Sequence, residues 1–376
     1  MKTLKVSDIV GIINKIAPPI LAETWDNPGL QVGDPNDDVT RIMVALDATP
    51  ATISAAISAS CQLLVTHHPL IFKPLKSIST ATPLGSQIQT AIRAGLSIVS
   101  MHTNYDIAGG GLNDLLAQII GLQECVPLRI TTTRELLKLV VFVPVDHLDQ
   151  VRAALFPYTE SLGNYRDCSF AAAGEGTFTP QAGAHPFVGI IGATQKEPEE
   201  RLELLIERTN LARTIKALLA AHPYEEPAYD LYPLLNEGVK LGLGRIGRLP
   251  EIETLAAYAS RVSGLLAAPG LRFVGDPAVR ISKVALCSGS GASLVRDAVR
   301  AGADLLVTGD VKYHEARDAE DLGIALIDAG HFPTEIIMVN EVAGRIERAI
   351  AAAGCTVCQV LPCCIQTDPF RNITSS

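Results

Sequence analysis

Long uninterrupted apolar runs are missing from this sequence of 376 residues, although 48% of its residues are hydrophobic. The first twenty residues, MKTLKVSDIVGIINKIAPPI, hold only short apolar groups separated by Asp8, Asn14 and Lys15. This pattern predicts neither a secretion signal nor a membrane span. Basic charge is also in deficit, with 31 Lys and Arg against 40 Asp and Glu. Because binding to nucleic-acid phosphates needs a basic face, the balance argues against that class of partner.

A disulfide framework is not expected either. Eight cysteines in a chain of this length, without a secretion signal, indicate reduced thiols and a cytoplasmic protein. Charged residues make up only 19% of the chain, a composition that excludes disorder and is typical of a globular α/β protein. At about 150 residues per domain, the length predicts two or three units.

Alternating strand and helix patterns fill both ends of the chain. In the first 125 residues the predicted strands are RIMVALDA (41–48), QLLVT (62–66) and LSIVSM (96–101). In the last 140 they are KVALCSG (283–289), ADLLVTGD (303–310) and IALIDAG (324–330), and HFPTEIIMVNEVAGRIERAI (331–350) predicts one long final helix. A βαβαβ order predicts parallel strands whose carboxyl ends gather at one edge.

The two ends also match in detail. VALD and LLVTHH in the first correspond to VALC and LLVTGD in the second, and each then reaches a His-x-x-x-carboxylate ending, HTNYD (102–106) and HFPTE (331–335). We interpret this as a diverged duplication whose halves pack around a pseudo-twofold axis, with equivalent strand ends facing one cleft. The alternative is that LLVT is merely a common strand composition.

The middle of the chain has a different pattern. Its order of elements is βαββαβ, with a hairpin expected through Gly174-Glu175-Gly176, and this order is the ferredoxin-like signature. The sequence therefore predicts an α/β core made of two similar halves with parallel-rich sheets, residues 1–125 and 234–376, and an inserted ferredoxin-like α+β domain at 126–233.

Residues that can bind metals cluster where these strands end. In LLVTHHPLIF (63–72), Pro69 should stop the strand and release His67 and His68 from strand alternation, so that both can reach one site. The full set of candidates at strand ends is His67, His68, His102, Asp106, Asp310, His331 and Glu335. Mixed imidazole and carboxylate ligands suit Zn, Fe, Mn, Co or Ni. So many ligands favour two ions, about 3.5–4 Å apart.

Simpler interpretations stand beside these. Lone histidines are more often structural, and His314 is expected to be so. Asp310 is either a hydrogen-bond acceptor for a ligand or a loop cap. Trp25 is expected to pack in the core at a turn, with a role in lining the site as the alternative. GLGRIG (242–247) opens no helix, so it does not predict dinucleotide binding. The remaining motif, Cys355-x-x-Cys358 with Cys363 and Cys364, is either a zinc or redox site or, as we favour, structural.

A resemblance to a known family rests on several of these segments together: TWDNPGLQVGD (24–34), LLVTHHPLIF (63–72), MHTNYDIAGGGLND (101–114), GLGRIGRL (242–249), LLVTGDVKYHEA (305–316) and DAGHFPTE (328–335). In this combination the chain resembles the Nif-three-like dinuclear-metal proteins, commonly labelled GTP cyclohydrolase I type 2 homologues. The insert, with AAHPYEEPAYDLYPL (220–234), resembles the PII and CutA folds of the longer members.

The resemblance implies a site for two divalent transition-metal ions at His67, His68, Asp106, His331 and Glu335, with Glu335 as a bridge and His102 beside it as proton donor or acceptor. It also implies a homohexamer, a trimer of dimers that forms a toroid. The leading hypothesis is a metal-dependent hydrolase acting on a nucleotide or related small molecule. The alternative is a non-catalytic assembly factor or metallochaperone whose insert senses a small molecule.

Overall fold

The structure is a computed structural model that describes residues 3–355 and 358–371. It divides into two compact units. One unit combines the residues up to Thr131 with those from Leu241 onward, and the other is the continuous segment Thr132–Lys240. The limits 126–233 expected for the insert stay a prediction. Within the described part of the chain, every helix is too short or too polar to cross a bilayer.

The first part of the larger unit is an α/β arrangement. Its elements are β1 (Leu4–Lys5), α1 (Val6–Ile16), β2 (Gly29–Val32), β3 (Asp38–Val39), β4 (Arg41–Ala45), α2 (Pro50–Ser58), β5 (Leu63–Thr66), α3 (Pro83–Arg93), β6 (Ser97–Ser100), α4 (Thr103–Ile107), α5 (Leu112–Ile119) and β7 (Gln123–Thr133). Thr49 caps α2 by accepting a hydrogen bond from the Thr52 amide at 3.1 Å, with Pro50 as the first helical residue, as the sequence predicts.

The smaller unit holds one antiparallel sheet and two helices. Its elements are β8 (Leu136–Pro144), α6 (Leu148–Leu155), β9 (Ser169–Phe178), β10 (Gln195–Glu207), α7 (Leu211–Ala221) and β11 (Tyr229–Pro233). The strand order is β11-β8-β10-β9. The hairpin predicted through Gly174-Glu175-Gly176 is wrong, because these residues lie inside β9, paired with β10. A Cβ at Gly176 would stand 2.2 Å from Glu199 Oε2, so this glycine gives a neighbouring side chain room rather than making a turn.

The rest of the larger unit repeats the first part in outline. Its elements are β12 (Lys240–Thr254), α8 (Leu255–Leu265), β13 (Arg272–Val274), β14 (Arg280–Leu286), α9 (Val295–Arg300), β15 (Leu305–Thr308), α10 (Tyr313–Asp321), β16 (Ala325–Asp328), α11 (His331–Glu335), α12 (Met338–Ala352) and β17 (Gln359–Pro362). The GLGRIG motif lies in strand β12. The single long helix predicted from His331 is in fact two, because the chain tightens at Ile336, whose carbonyl accepts from the Val339 amide at 3.1 Å.

Two sheets carry the same parallel motif. One sheet has the order β17-β4-β5-β6-β2 and the other β13-β16-β15-β14-β12-β7. β4, β5 and β6 are parallel neighbours, as are β14, β15 and β16. An antiparallel strand from earlier in the chain flanks the last of each three: β2 lies beside β6, and β13 lies beside β16. The carboxyl ends of the parallel strands therefore gather at one edge of each sheet.

Each sheet packs against a helix that follows the other sheet in the chain. The core of the first sheet includes Val342 and Ile346 of α12, which comes after β16. The core of the second includes Leu116 of α5, which comes after β6, packed with Val284 and Val307. In the chain, the short helix α4 thus connects β6 of the first sheet to α5, which packs against the second sheet. The short helix α11 connects β16 of the second sheet to α12, which packs against the first.

Candidate metal centre

The candidate ligands meet where β5, β6 and β16 end. His67 and His68 follow β5 directly, and the backbone amides of both donate to the Leu46 carbonyl at 3.1 Å, so the strand has stopped and the rings are free to share a site. Asp106 lies on α4 and Glu335 on α11. His331 and Glu335 are one helical turn apart, which places them on the same face of α11.

Glu335 occupies the centre of the cluster and is only 4% exposed. Its Oε2 atom lies 3.0 Å from His68 Nε2 and 2.9 Å from His331 Nε2. Its Oε1 atom lies 3.7 Å from His67 Nε2, which is also 3.7 Å from Asp106 Oδ1. One carboxylate therefore faces two ligand groups, His67 with Asp106 on one side and His68 with His331 on the other.

A hydrogen bond fixes the far nitrogen of each of these imidazoles. His67 Nδ1 lies 2.9 Å from the Met101 carbonyl, His68 Nδ1 2.7 Å from Asp47 Oδ1, and His331 Nδ1 2.6 Å from Asp310 Oδ2. Since a carbonyl or carboxylate only accepts, Nδ1 donates in each case. The Nε2 atoms thus converge on Glu335, and this pattern of partners is the one that holds metal-binding histidines in place.

Asp310 settles one alternative left open by the sequence. It adopts the left-handed conformation, with φ of 55°, which is strained for an aspartate. Its Oδ2 atom lies 2.6 Å from His331 Nδ1, so Asp310 is a hydrogen-bond acceptor for this imidazole. Asp47 does the same for His68 and was not predicted. Its signal in the sequence is its place just after the strand RIMVA, beside the end of β5.

Polar atoms of the cluster are buried in the described part of the chain without a hydrogen-bond partner. Within the described residues, neither His67 Nε2 nor Asp106 Oδ1 has a hydrogen-bond partner, although both atoms are shielded from solvent. Burying such atoms without a bond is costly. A cation between His67, Asp106 and Glu335 would satisfy both, so the residues present fit a divalent ion.

The charges of the cluster point the same way. Burial acts to lower the pKa of each histidine, but neighbouring carboxylates outweigh it: Asp47 and Glu335 raise the pKa of His68 to about 10, and Glu335 and Asp310 raise that of His331 to about 9. The pKa of His67 is also raised, by Asp106 and Glu335 against its complete burial. Burial would raise the pKa of Glu335, yet the histidines hold it well below its usual value. The cluster thus stabilises positive charge at the Nε2 positions.

His102 adjoins His67 and His68. Its ring lies 5.2 Å from that of His67 and 5.5 Å from that of His68, centroid to centroid. One ring nitrogen from each of these three histidines lies within 4.8 Å of the others, and the same holds for ligand atoms of His68, His331 and Glu335. His102 Nδ1 bonds to Asp26 Oδ1 at 2.8 Å.

Asp26 is held in turn by the start of helix α4. Its Oδ2 atom accepts from the Thr103 amide at 3.0 Å and from the Thr103 hydroxyl. Burial acts to raise the pKa of Asp26, but the bonds from His102 and Thr103 lower it to about 2. Asp26 is therefore an ionised acceptor that orients His102.

The other candidates lie elsewhere. His314 is on α10 and belongs to neither metal-competent group found among the described residues. The terminal cysteines flank β17, an edge strand beside β4, with positions 356 and 357 outside the described residues. The expectation that Trp25 packs in the core is wrong: its side chain is 56% exposed and lies 6.0 Å from the His102 ring.

Known proteins are similar to this chain over almost its whole length. The profile of the Duf34/NIF3 family (NGG1p interacting factor 3) matches residues 4–369. A Halalkalibacterium halodurans protein named GTP cyclohydrolase 1 type 2 homolog is 41% identical over 374 residues, covering 99% of this chain and all of that protein. A Bacillus subtilis protein of the same name is 39% identical, over 89% of this chain and 90% of its own length. The crystal structure of a Bacillus cereus protein related to NIF3 superposes with a TM-score of 0.93 at 39% identity, covering 99% of this chain and 100% of that one.

Proposed function

Because this chain belongs to the Duf34/NIF3 family, we propose that its histidine and carboxylate cluster is a dinuclear metal centre of a hydrolase acting on a nucleotide or a related small molecule. The observation that carries the proposal is the position of Glu335, whose two oxygens face two separate ligand groups. His67 and Asp106 would hold one ion, His68 and His331 the other, and Glu335 would bridge them.

The chemistry follows from that arrangement. When bound, a pair of divalent ions would polarise a substrate oxygen and acidify a water molecule. The chain's own residues do the rest. Met101, Asp47 and Asp310 keep the three imidazoles in the tautomer that presents Nε2, and His102, with Nδ1 held by Asp26, has its other nitrogen available to take or return a proton.

The names of the relatives indicate which class of substrate to test first. Proteins 41% and 39% identical to this chain carry the name GTP cyclohydrolase 1 type 2 homolog. In this chain such an activity would open the imidazole ring of a purine nucleotide by attack of water at a ring carbon. A nucleotide is therefore the first substrate to test.

Three further features belong to the proposal. The sheet order β11-β8-β10-β9, with α6 and α7, supports a ferredoxin-like inserted domain, and the repeated parallel motif supports a pseudo-twofold core. We also propose a homohexamer, on the family resemblance, and a cytoplasmic location, on the cysteine content of the chain.

Metal content and turnover test the proposal together. Wild type should hold two divalent ions per chain by elemental analysis, while His67→Ala and His331→Ala should each lose about one, from opposite sides of Glu335. His314→Ala is the matched control, because this histidine lies outside the cluster, and it should keep both ions.

The same proteins are then given GTP, other nucleotides and phosphoesters. Hydrolysis should need both ions and should fail in Glu335→Gln. Activity that persists after complete removal of the metals would refute the hydrolase. Two tightly held ions with no turnover on any substrate would instead favour the non-catalytic assembly factor or metallochaperone.

A further inference from the structure

Two large aromatic side chains stand exposed beside the candidate metal centre. Trp25 is 56% and Phe72 45% exposed, and their ring centroids lie 5.8 Å apart, with the planes inclined by 53°. Both rings lie at steep angles to the His102 ring, 76° and 73°, with centroids 6.0 and 6.3 Å from its centroid. Exposed aromatic groups in contact with each other and with a site residue are typical of ligand surfaces rather than of a core.

The segments that carry these rings are tied down. Asn27 Nδ2 donates to the Ile71 carbonyl at 2.7 Å, and the Ile71 amide donates to Gln31 Oε1 at 3.2 Å. These two bonds join the segment after Trp25 to the residue before Phe72. On the other side of Asn27, Asp26 bonds to His102 and Thr103. The rings are therefore exposed but held in place, so little order has to be gained when a ligand binds.

The same hydrogen bonds connect the rings to the chemistry of the site. Asp26 separates Trp25 from Asn27 in the chain and is also the residue that orients His102. A ring lying on Trp25 and Phe72 would thus be fixed with respect to His102, and through the His102 contacts at 5.2 and 5.5 Å, to His67 and His68.

We propose that Trp25 and Phe72 form the subsite that binds a planar heteroaromatic ring, such as a purine base, of the molecule acted on at the adjoining cluster. This inference deepens the proposed function and rests on it for the identity of the reacting site. Because the two ring planes are inclined by 53°, a planar base would stack on one ring and contact the other at an angle. Stacking of this kind tolerates any planar base.

The chain offers a label-free probe of this subsite, because Trp25 is its only tryptophan. Indole fluorescence therefore reports on one position. GTP, GMP and guanosine should quench it saturably, whereas ribose 5-phosphate, which has no ring to stack, should not. The titrations are made on the full chain in both metal-depleted and metal-loaded forms.

A substitution separates stacking from general effects. Phe72→Leu should weaken GMP binding about tenfold, as expected for the loss of one stacking face, and should leave metal content unchanged. Phe273→Leu is the matched control: Phe273 is 41% exposed, lies in the same unit on β13, and makes no ring contact among the described residues. It should bind GMP like wild type.

The outcomes keep this inference distinct from the proposed function. Saturable quenching by purines that is weakened by Phe72→Leu supports the subsite even if no turnover is found, in which case the hydrolase alone fails. Metal-dependent turnover without quenching, or equal effects of Phe72→Leu and Phe273→Leu, would overturn the subsite and leave the metal centre intact. Emission that shifts with protein concentration but not with GMP would also overturn it and assign the aromatic pair to a contact between copies.

Discussion

Gly289 offers a way to disturb the candidate metal centre without changing any ligand. It lies after β14 with φ of 58°, and a Cβ built on it would stand 2.2 Å from Glu335 Oε1 and 3.3 Å from His331 Cε1. An ordinary carbon to oxygen contact is about 3.3–3.6 Å. Gly289→Ala would therefore push the Glu335 carboxylate by about 1 Å, far more than the roughly 0.2 Å that metal coordination tolerates.

Gly289→Ala should have two separable effects, one on the free energy of unfolding and one on metal binding. The left-handed backbone makes any alanine there unfavourable by about 1–2 kcal/mol. Displacing Glu335 should in addition weaken the binding of both ions by about 10–100-fold, the range seen when the support of a metal ligand is lost. Competition of the protein with a chelator of known affinity, followed by elemental analysis, measures the second effect.

Gly302→Ala isolates the backbone cost. Gly302 ends helix α9 with φ of 71°, but its Cβ would meet nothing nearer than Lys283 Nζ at 3.9 Å. It should lose a similar amount of stability in urea denaturation and bind metals normally. If Gly289→Ala and Gly302→Ala hold metals equally well, Glu335 does not bridge the centre and the argument from its position is wrong.

Further predictions concern the residues around the ligands and the pH. Asp47→Asn and Asp310→Asn remove the carboxylates that hold His68 and His331. Each should weaken metal binding by about 10–100-fold, as measured by chelator competition. Asp297→Asn is the control and should bind metals as wild type does, because this carboxylate bonds to Arg129 instead. In the metal-free protein the pKa of His68 is raised from 6.5 to about 10 and that of His331 to about 9, so their stabilising contribution is complete below pH 6.5 and is lost as the pH rises through 9 and 10. Urea denaturation of chelator-treated protein should therefore show the free energy of unfolding falling between pH 6.5 and 10. The apparent metal affinity should rise over the same range, since the same protons must leave before an ion binds. A free energy of unfolding that stays constant from pH 6.5 to 10 would contradict the raised pKa values.

The sequence predicted the parts of the fold that depend on local pattern. The α/β class follows from strands such as Leu63–Thr66 and Leu305–Thr308, which are short and wholly apolar apart from Thr66 and Thr308 at their ends. The meeting of His67, His68, Asp106, His331 and Glu335 could be anticipated because the carboxyl ends of parallel strands share an edge. Their roles as metal ligands stay a proposal.

What failed depended on neighbours distant in the chain. Gly174-Glu175-Gly176 has the composition of a turn, yet all three residues pair with β10, which keeps this segment extended. Trp25 was expected inside because large apolar side chains usually are, but its position is set by Asn27 and Asp26, whose partners Ile71 and His102 lie more than 40 residues away. Asp47 was missed for the same reason, since only the folded sheet brings it to His68, 21 residues on.

The exchange of helices between the two sheets has a consequence for biosynthesis. Helix α12 and strand β17, both from the end of the chain, complete the sheet that begins at β4, and His331 reaches across 263 residues to His68. A nascent chain that has emerged as far as the inserted unit thus exposes an unfinished apolar surface and carries three of the five proposed ligands, His67, His68 and Asp106. The proposed metal centre would be complete only after residues 331–335 have been synthesised, so a prematurely terminated product would expose apolar surface and lack His331 and Glu335.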